Sequence, residues 1–215
     1  MPVDLVTKYD GIAEGFAENS YANLSFDMHR RFRIATGWGT PLQAGDSVLE
    51  LGCGDGYLAE LFVQHGLRYR GVDISPRMVE VAVHRLRAAG LEADFVAADV
   101  SQVLLSEPVD ALLSYMGSFF FYIGDPLGVL KRLKPYVRKK VILDLNPRQI
   151  NTQTAIEVLR QAGFTNMAWR PFFIPKEKKL PAGILDMLVA CENIPLLRNV
   201  PLRWKFNVLL KGEAS

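Results

Sequence analysis

The sequence predicts an α/β protein built on a doubly wound, mostly parallel sheet. Two observations carry this. Short apolar strands alternate strictly with amphipathic helices from about residue 45 to residue 165, a pattern that argues for βαβ units. The first of those strands, Ser47–Leu51, also runs into three alternating glycines, Gly52, Gly54 and Gly56, before a helix that starts at Tyr57. A strand, a glycine turn and a helix N-terminus together form a nucleotide-type site at the carboxyl edge of a parallel sheet.

Each element follows from its own signals. Residues 3–36 precede the sheet and read as two helices, Asp4–Ala17 with a break risk at Gly11, and Leu24–Thr36 with Phe26, Met28, Phe32 and Ile34 among basic residues. After Gly56 the order is helix Tyr57–His65, strand Tyr69–Asp73 and helix Arg77–Ala89, stopped by Gly90. Strands Ala93–Ala97 and Val109–Ser114 come next. Helix Pro126–Leu133, strand Lys140–Leu145 and helix Thr152–Ala162 complete the alternating core. The last fifty residues break the alternation. Phe164–Ile174 and Arg203–Leu210 read as strands separated by about 28 residues (175–202), in which Ala182–Glu192 looks like a short amphipathic helix. A connection of that length is usually functional.

The spacing of the glycines selects the ligand. A dinucleotide fingerprint needs G-x-G-x-x-G, whereas position 57 is Tyr and an acid, Glu50, precedes the first glycine. Helix N-termini favour anions; an acid at the lip of the loop suits a ligand with a positive ammonium. A glycine turn after a strand is also a purely structural device. The run Glu50-Leu51-Gly52-Cys53-Gly54-Asp55-Gly56 resembles the first motif of the class I S-adenosylmethionine (SAM) dependent methyltransferases, of small-molecule type. Asp73 ends the second strand about 20 residues past the glycines, where ribose hydroxyls are bound; an N-cap is its alternative role, although Ser75 serves that purpose equally well. In the resembling family the acid ending the third strand contacts the adenine amino group, and Asp99 matches it.

The resemblance implies a seven-stranded sheet in the order 3-2-1-4-5-7-6 with strand seven antiparallel, helices on both faces, and an N-terminal helical lid. It divides a single domain, 1–215, into a cap (1–40), a cofactor-binding core (45–165) and an edge strand pair with its insertion (166–215). Tyr9-Asp10-Gly11-Ile12-Ala13 resembles the opening of many small-molecule methyltransferases, whose first helices fold over the cofactor; a helical cap over a sheet edge would read the same. The expected SAM contacts are Tyr9, Glu50, Gly52, Cys53, Gly54, Gly56, Asp73, Ile74, Asp99, Val100 and Ser114. Cys53 reads as a packing residue in this loop.

A sulfonium methyl is already activated, so position and alignment dominate its transfer, and a general base is needed only if the attacking atom keeps a proton. Candidate acceptor-side residues come from loops at the carboxyl ends of strands four and five and from the lid. They are Tyr115 and Tyr122 in the aromatic run Ser114–Tyr122, Asn146 and Arg148 after strand five, and His29 on the second lid helix. Core packing accounts equally well for at least half of the aromatic run, a surface ion pair for Arg148, and a solvated helix position for His29. The fourth motif lacks the acid, Asn and Pro-Pro run of several N-methyltransferases of DNA and protein. The expected function is methylation of a small, hydrophobic or anionic acceptor, at O or N ahead of C. A non-catalytic SAM-binding or partner-binding module is the alternative, and an NAD(P)-dependent oxidoreductase a more distant one.

Bulk properties agree. A chain of 215 residues buries about 70% of its unfolded surface without staples. A net charge of +2 argues against a nucleic-acid partner. Two cysteines form no disulfide framework and fit a cytoplasmic setting. The histidines are His29, His65 and His84, too scattered to hold a metal. The first ten residues carry acids and do not read as a secretory signal. Monomer and homodimer both remain open. From Arg170 to Lys211 eight basic and three acidic residues give +5, interleaved with apolar side chains. Such a segment could cover the acceptor pocket through Ala182–Leu197, touch an anionic membrane surface through residues 172–205, or close the core.

Overall fold

The structure, a computed structural model, describes residues 4–115, 119–194 and 207–214. Its centre is a seven-stranded sheet in the order β3-β2-β1-β4-β5-β7-β6, as the sequence leads one to expect. The strands are β1 (Ser47–Leu51), β2 (Arg68–Asp73), β3 (Asp94–Ala97), β4 (Val109–Ser114), β5 (Val137–Leu145), β6 (Phe164–Phe172) and β7 (Asn207–Ala214). β1 to β5 are parallel, while β7 runs antiparallel to both β5 and β6. β4 is buried along its whole length, and its apolar residues Ala111, Leu112 and Leu113 follow one another rather than alternating with polar ones.

Its two faces are covered by different helices. Leu112 and Leu143 pack toward α7 (Pro126–Leu133) and α8 (Thr152–Gln161). Leu113 and Ile142 pack toward α3 (Leu24–Gly37) and α4 (Tyr57–Gln64). Local chemistry starts these helices where the sequence places them. Ser75 accepts from Met78 N at 3.0 Å to cap α5 (Pro76–Ala88), with Pro76 in its first turn. Asp125 and Asn151 cap α7 and α8 in the same way.

Two expectations need correction, and the aromatic run, whose shape the sequence left open, is now defined. The helix expected over Asp4–Ala17 is two short helices, α1 (Leu5–Asp10) and α2 (Phe16–Ser20), broken at Gly11 and restarted after Gly15, whose φ is 65°. The aromatic run forms a helical turn, α6 (Phe119–Tyr122), in which Phe119 is buried and Phe121 exposed. β7 runs past Leu210 to Ala214, because it keeps pairing with β5 through Glu213 and with β6 through Ala214, while the buried Lys211 carries its ammonium to Glu213, 2.8 Å away. Residues 203–206 of that expected strand, and Met116–Ser118 of the fourth motif, lie outside the described residues. The insertion helix α9 (Ala182–Glu192) stands where expected but is weakly two-sided: it buries Leu185 and Glu192 and exposes Ile184 and Met187. Among the described residues no helix is long and apolar enough to cross a membrane.

Candidate active site

The carboxyl ends of β1, β2 and β4, the turn after β3, and the cap helices converge on a cavity of about 500 Å³, within the ordinary range for a small-ligand site. The glycine loop forms its floor. Gly52 N and Cys53 N both donate to Val72 O, at 2.7 and 3.1 Å, which fixes the loop against β2. Gly54 has φ 56°, and a Cβ there would stand 3.5 Å from the Phe16 ring of α2. The lid therefore rests directly on the loop. Gly56, with φ 75°, faces the other way: a Cβ on it would meet Ala82 Cβ at 2.7 Å. Its smallness lets α4 pack on α5, and it does not line the cavity.

Three acids reach the cavity at successive strand ends. Glu50 is buried, and its Oε2 accepts the Tyr69 hydroxyl at 2.5 Å. Burial pushes its pKa up to about 7, against the pull of the Tyr69 hydrogen bond and of Arg31. Asp73 accepts Gly54 N on Oδ2 at 2.9 Å and Ser75 N on Oδ1 at 3.0 Å. Helix capping falls to Ser75, so each Asp73 oxygen has one backbone donor and keeps room for another. Burial raises the Asp73 pKa as well. Asp99 is exposed at the rim and accepts Ser101 N at 2.7 Å.

Of the expected cofactor residues, Tyr9, Glu50, Gly52, Cys53, Gly54, Asp73, Ile74, Asp99 and Val100 line this one cavity. Ser114 does not; its hydroxyl donates to Leu51 O at 3.0 Å and ties β4 to β1. Cys53 is buried against Gly71, and burial drives its thiol pKa well above the ordinary value, which suits packing rather than nucleophilic chemistry.

The acceptor-side candidates divide in the same way. Tyr115 and Tyr122 line the cavity. The Tyr115 hydroxyl donates to Arg31 O at 3.2 Å, and burial raises its pKa. Tyr9 donates to Tyr122 across the mouth, hydroxyl to hydroxyl, at 3.4 Å. Three candidates fall outside the cavity. His29 lies on the exposed side of α3, its Nδ1 2.7 Å from Ser25 O. Asn146 closes its own turn by accepting Arg148 N at 3.0 Å, and Arg148 is exposed. The segment Ala182–Ile194 does not line the cavity either; Lys176, ahead of α9, does.

Sequence reasoning missed Arg31, the most enclosed cation of the site. It is buried, with Nε 2.5 Å from Asp27 Oδ1 and Nη1 2.6 Å from Asp144 Oδ2. Its guanidinium carbon lies 5.2 Å from the Tyr115 ring centre and 4.6 Å from that of Phe172. The available signal was the i, i+4 pair Asp27–Arg31, masked by the flanking Arg30 and Arg33.

The cap is anchored at both ends. Asp10 accepts the Ser75 hydroxyl at 2.5 Å, and Asp55 accepts Ala17 N at 2.9 Å. Asn23 donates to Pro175 O and Lys178 O and accepts Leu180 N, all within 3.0 Å. Glu192, at the end of α9, accepts Arg30 Nη2 at 2.8 Å, Arg170 Nη2 at 3.2 Å and Phe173 N at 3.1 Å. Lid and insertion thus form one roof.

A sheet in this order, with a glycine turn and carboxylates at consecutive strand ends around a roofed cavity, has the architecture of a nucleoside-binding methyltransferase domain. Residues 48–140 match the methyltransferase-domain family, and that segment is similar to the class I SAM-dependent methyltransferases. Trans-aconitate 2-methyltransferase of Rhizobium rhizogenes is 30% identical over 66% of this chain and 55% of its own length. The 23S rRNA (uracil(1939)-C(5))-methyltransferase of Shewanella amazonensis is 28% identical over 72% of this chain and 35% of its own. The chain thus spans about half or less of these curated relatives. Magnesium protoporphyrin IX methyltransferase of Synechocystis PCC 6803, solved with bound SAM, shares the fold: TM-score 0.60 at 18% identity, over 100% of this chain and 86% of that one. The methyltransferase match over residues 48–140 speaks against the dinucleotide alternative, as do Glu50 and the glycine spacing.

Proposed function

We propose that the protein transfers the methyl group of SAM to an oxygen or nitrogen atom of a small-molecule acceptor. SAM supplies the activated methyl. The chain's own part is to bind, orient and exclude water. Glu50 would receive the ammonium of the cofactor, Asp73 the ribose hydroxyls and Asp99 the adenine amino group, with the Gly52–Gly54 turn giving close backbone approach. The buried, hydrogen-bonded Asp73 oxygens fit this assignment, since each still accepts a donor.

The observation that carries the small-molecule reading is the roof. The cavity continues past the cofactor residues to Tyr21, Met28, Arg31, Tyr115 and Lys176. There it is closed by the lid–insertion contacts Ala22 N to Lys176 O, 2.7 Å, and Asn23 to the 175–180 segment. A pocket roofed on this side suits a compact acceptor better than a polymer, although one relative is an enzyme named for rRNA. No histidine lines the cavity, which favours an acceptor whose attacking atom is already deprotonated, or Tyr122 as its proton partner.

The test is direct. The purified protein, incubated with methyl-labelled SAM and an extract of small metabolites, should release S-adenosylhomocysteine (SAH) and label a product of low mass. Binding of SAM without any turnover would instead favour the non-catalytic alternative.

A further inference from the structure

Where the cavity runs beyond the cofactor residues, its walls are aromatic and its donors cationic. Arg31 uses Nε for Asp27 and Nη1 for Asp144. No hydrogen bond engages its Nη2 among the described residues, and the residue lines the cavity. The two carboxylates and the rings of Tyr115 and Phe172 hold the guanidinium in place, so that donor direction is fixed rather than mobile. Lys176 lines the same region from the insertion. Its backbone is pinned by Ala22 N, and its Nζ lies 4.7 Å from the Tyr21 ring centre with no acidic partner among the described residues. Lost hydration first, then the Arg31 charge, lower the Lys176 pKa, although the residue as a whole stays open to solvent. Asp27 and Asp144 offset the charge of Arg31, so Lys176 supplies the positive charge and Arg31 the aimed hydrogen bond.

We propose that Arg31 and Lys176 form a carboxylate-binding subsite, and that the acceptor is a small organic acid held there by its carboxylate. Tyr21 and Tyr115 flank its apolar part. This rests on the methyltransferase reading above and names its substrate class. The same chemistry could instead serve the carboxylate of the cofactor's amino-acid end, and the experiment separates the two.

Trifluoroacetate is the probe, followed by ¹⁹F NMR on the full chain, with SAH binding measured by calorimetry on the same sample. Protein loaded with SAH should still broaden the trifluoroacetate resonance at millimolar concentration. Lys176→Gln should weaken that binding about tenfold, the cost of one charge-assisted hydrogen bond, and leave the SAH dissociation constant within about twofold. Arg31→Lys, which keeps the charge but loses the fork, should weaken it as well if the variant folds. Three results would overturn the proposal. No broadening with SAH bound removes the subsite and leaves the cofactor reading intact. Displacement of trifluoroacetate by SAH, but not by 5′-methylthioadenosine, which lacks the amino-acid end, gives the carboxylate site to the cofactor. Failure of SAH to bind at all ends the methyltransferase reading and this proposal with it.

Discussion

The Tyr69 hydroxyl lies 2.5 Å from Glu50 Oε2 in the buried floor of the cavity, a neutral donor facing a carboxyl group whose pKa stands at about 7. In an unfolded chain a glutamate titrates near 4.5. Between these values the folded protein binds the extra proton, so this group's contribution is full below pH 4.5 and is lost as pH rises through 7. Its ionisation costs the empty protein about 3 kcal/mol above that range. A bound ammonium would favour the ionised form. SAH affinity is therefore expected to increase between pH 6 and pH 7, by up to about tenfold per unit, with release of a proton. Calorimetry in buffers of different ionisation enthalpy checks this. A flat profile in the native protein, or the same profile in Glu50→Gln, would remove Glu50 from ammonium binding.

Asp73 has two separable duties. Asp73→Ala should weaken SAH binding by about 1.5–3 kcal/mol and also lower thermal stability, because Gly54 N and Ser75 N lose their acceptor. Asp73→Asn keeps one acceptor and should restore more stability than affinity. Equal recovery of both would make Asp73 a loop staple alone.

Gly56→Ala should destabilise the protein by about 2 kcal/mol or more, from the positive φ and the Ala82 clash together. Ser114→Ala, by contrast, should cost about 1 kcal/mol and leave SAH affinity unchanged. Urea unfolding with and without SAH reads both.

Glu192→Ala should leave Arg30 and Arg170 without their shared carboxylate in a buried place, at a cost of about 3–5 kcal/mol. Hydrogen exchange should quicken at the Phe173 amide and along α9. Unchanged exchange would mean the roof is held by the Ala22 and Asn23 contacts without Glu192.

Much of this molecule was legible in its sequence because its signals are local. The glycine spacing, the acids at strand ends and the cap Ser75 each act within a few residues of themselves. Arg31 was not legible, since a helical arginine usually faces water and only its partner Asp144, 113 residues away, makes it an interior group. His29, Asn146 and Arg148 had plausible chemistry, but each turns into its own helix or loop or out to solvent. Whether α6 faces the core or the cavity depends on which side each ring of Phe119–Tyr122 takes, and a run of four aromatics carries no period from which to read it.

The roof also sets an order of events during synthesis. Asn23 meets Pro175 across 152 residues and Arg30 meets Glu192 across 162. Chains emerge from their N-terminus, and contacts this distant close late. Asp10 and Ala17 of the cap can meet Ser75 and Asp55 early, yet Asn23 and Arg30 find their partners only once residues 175–192 have been built. Until then the glycine loop and its acids can form while the pocket stands open on one side. A nascent chain should accordingly gain its lasting hold on SAH only once the segment around residues 175–192 has emerged, and chains arrested before that point should release it freely.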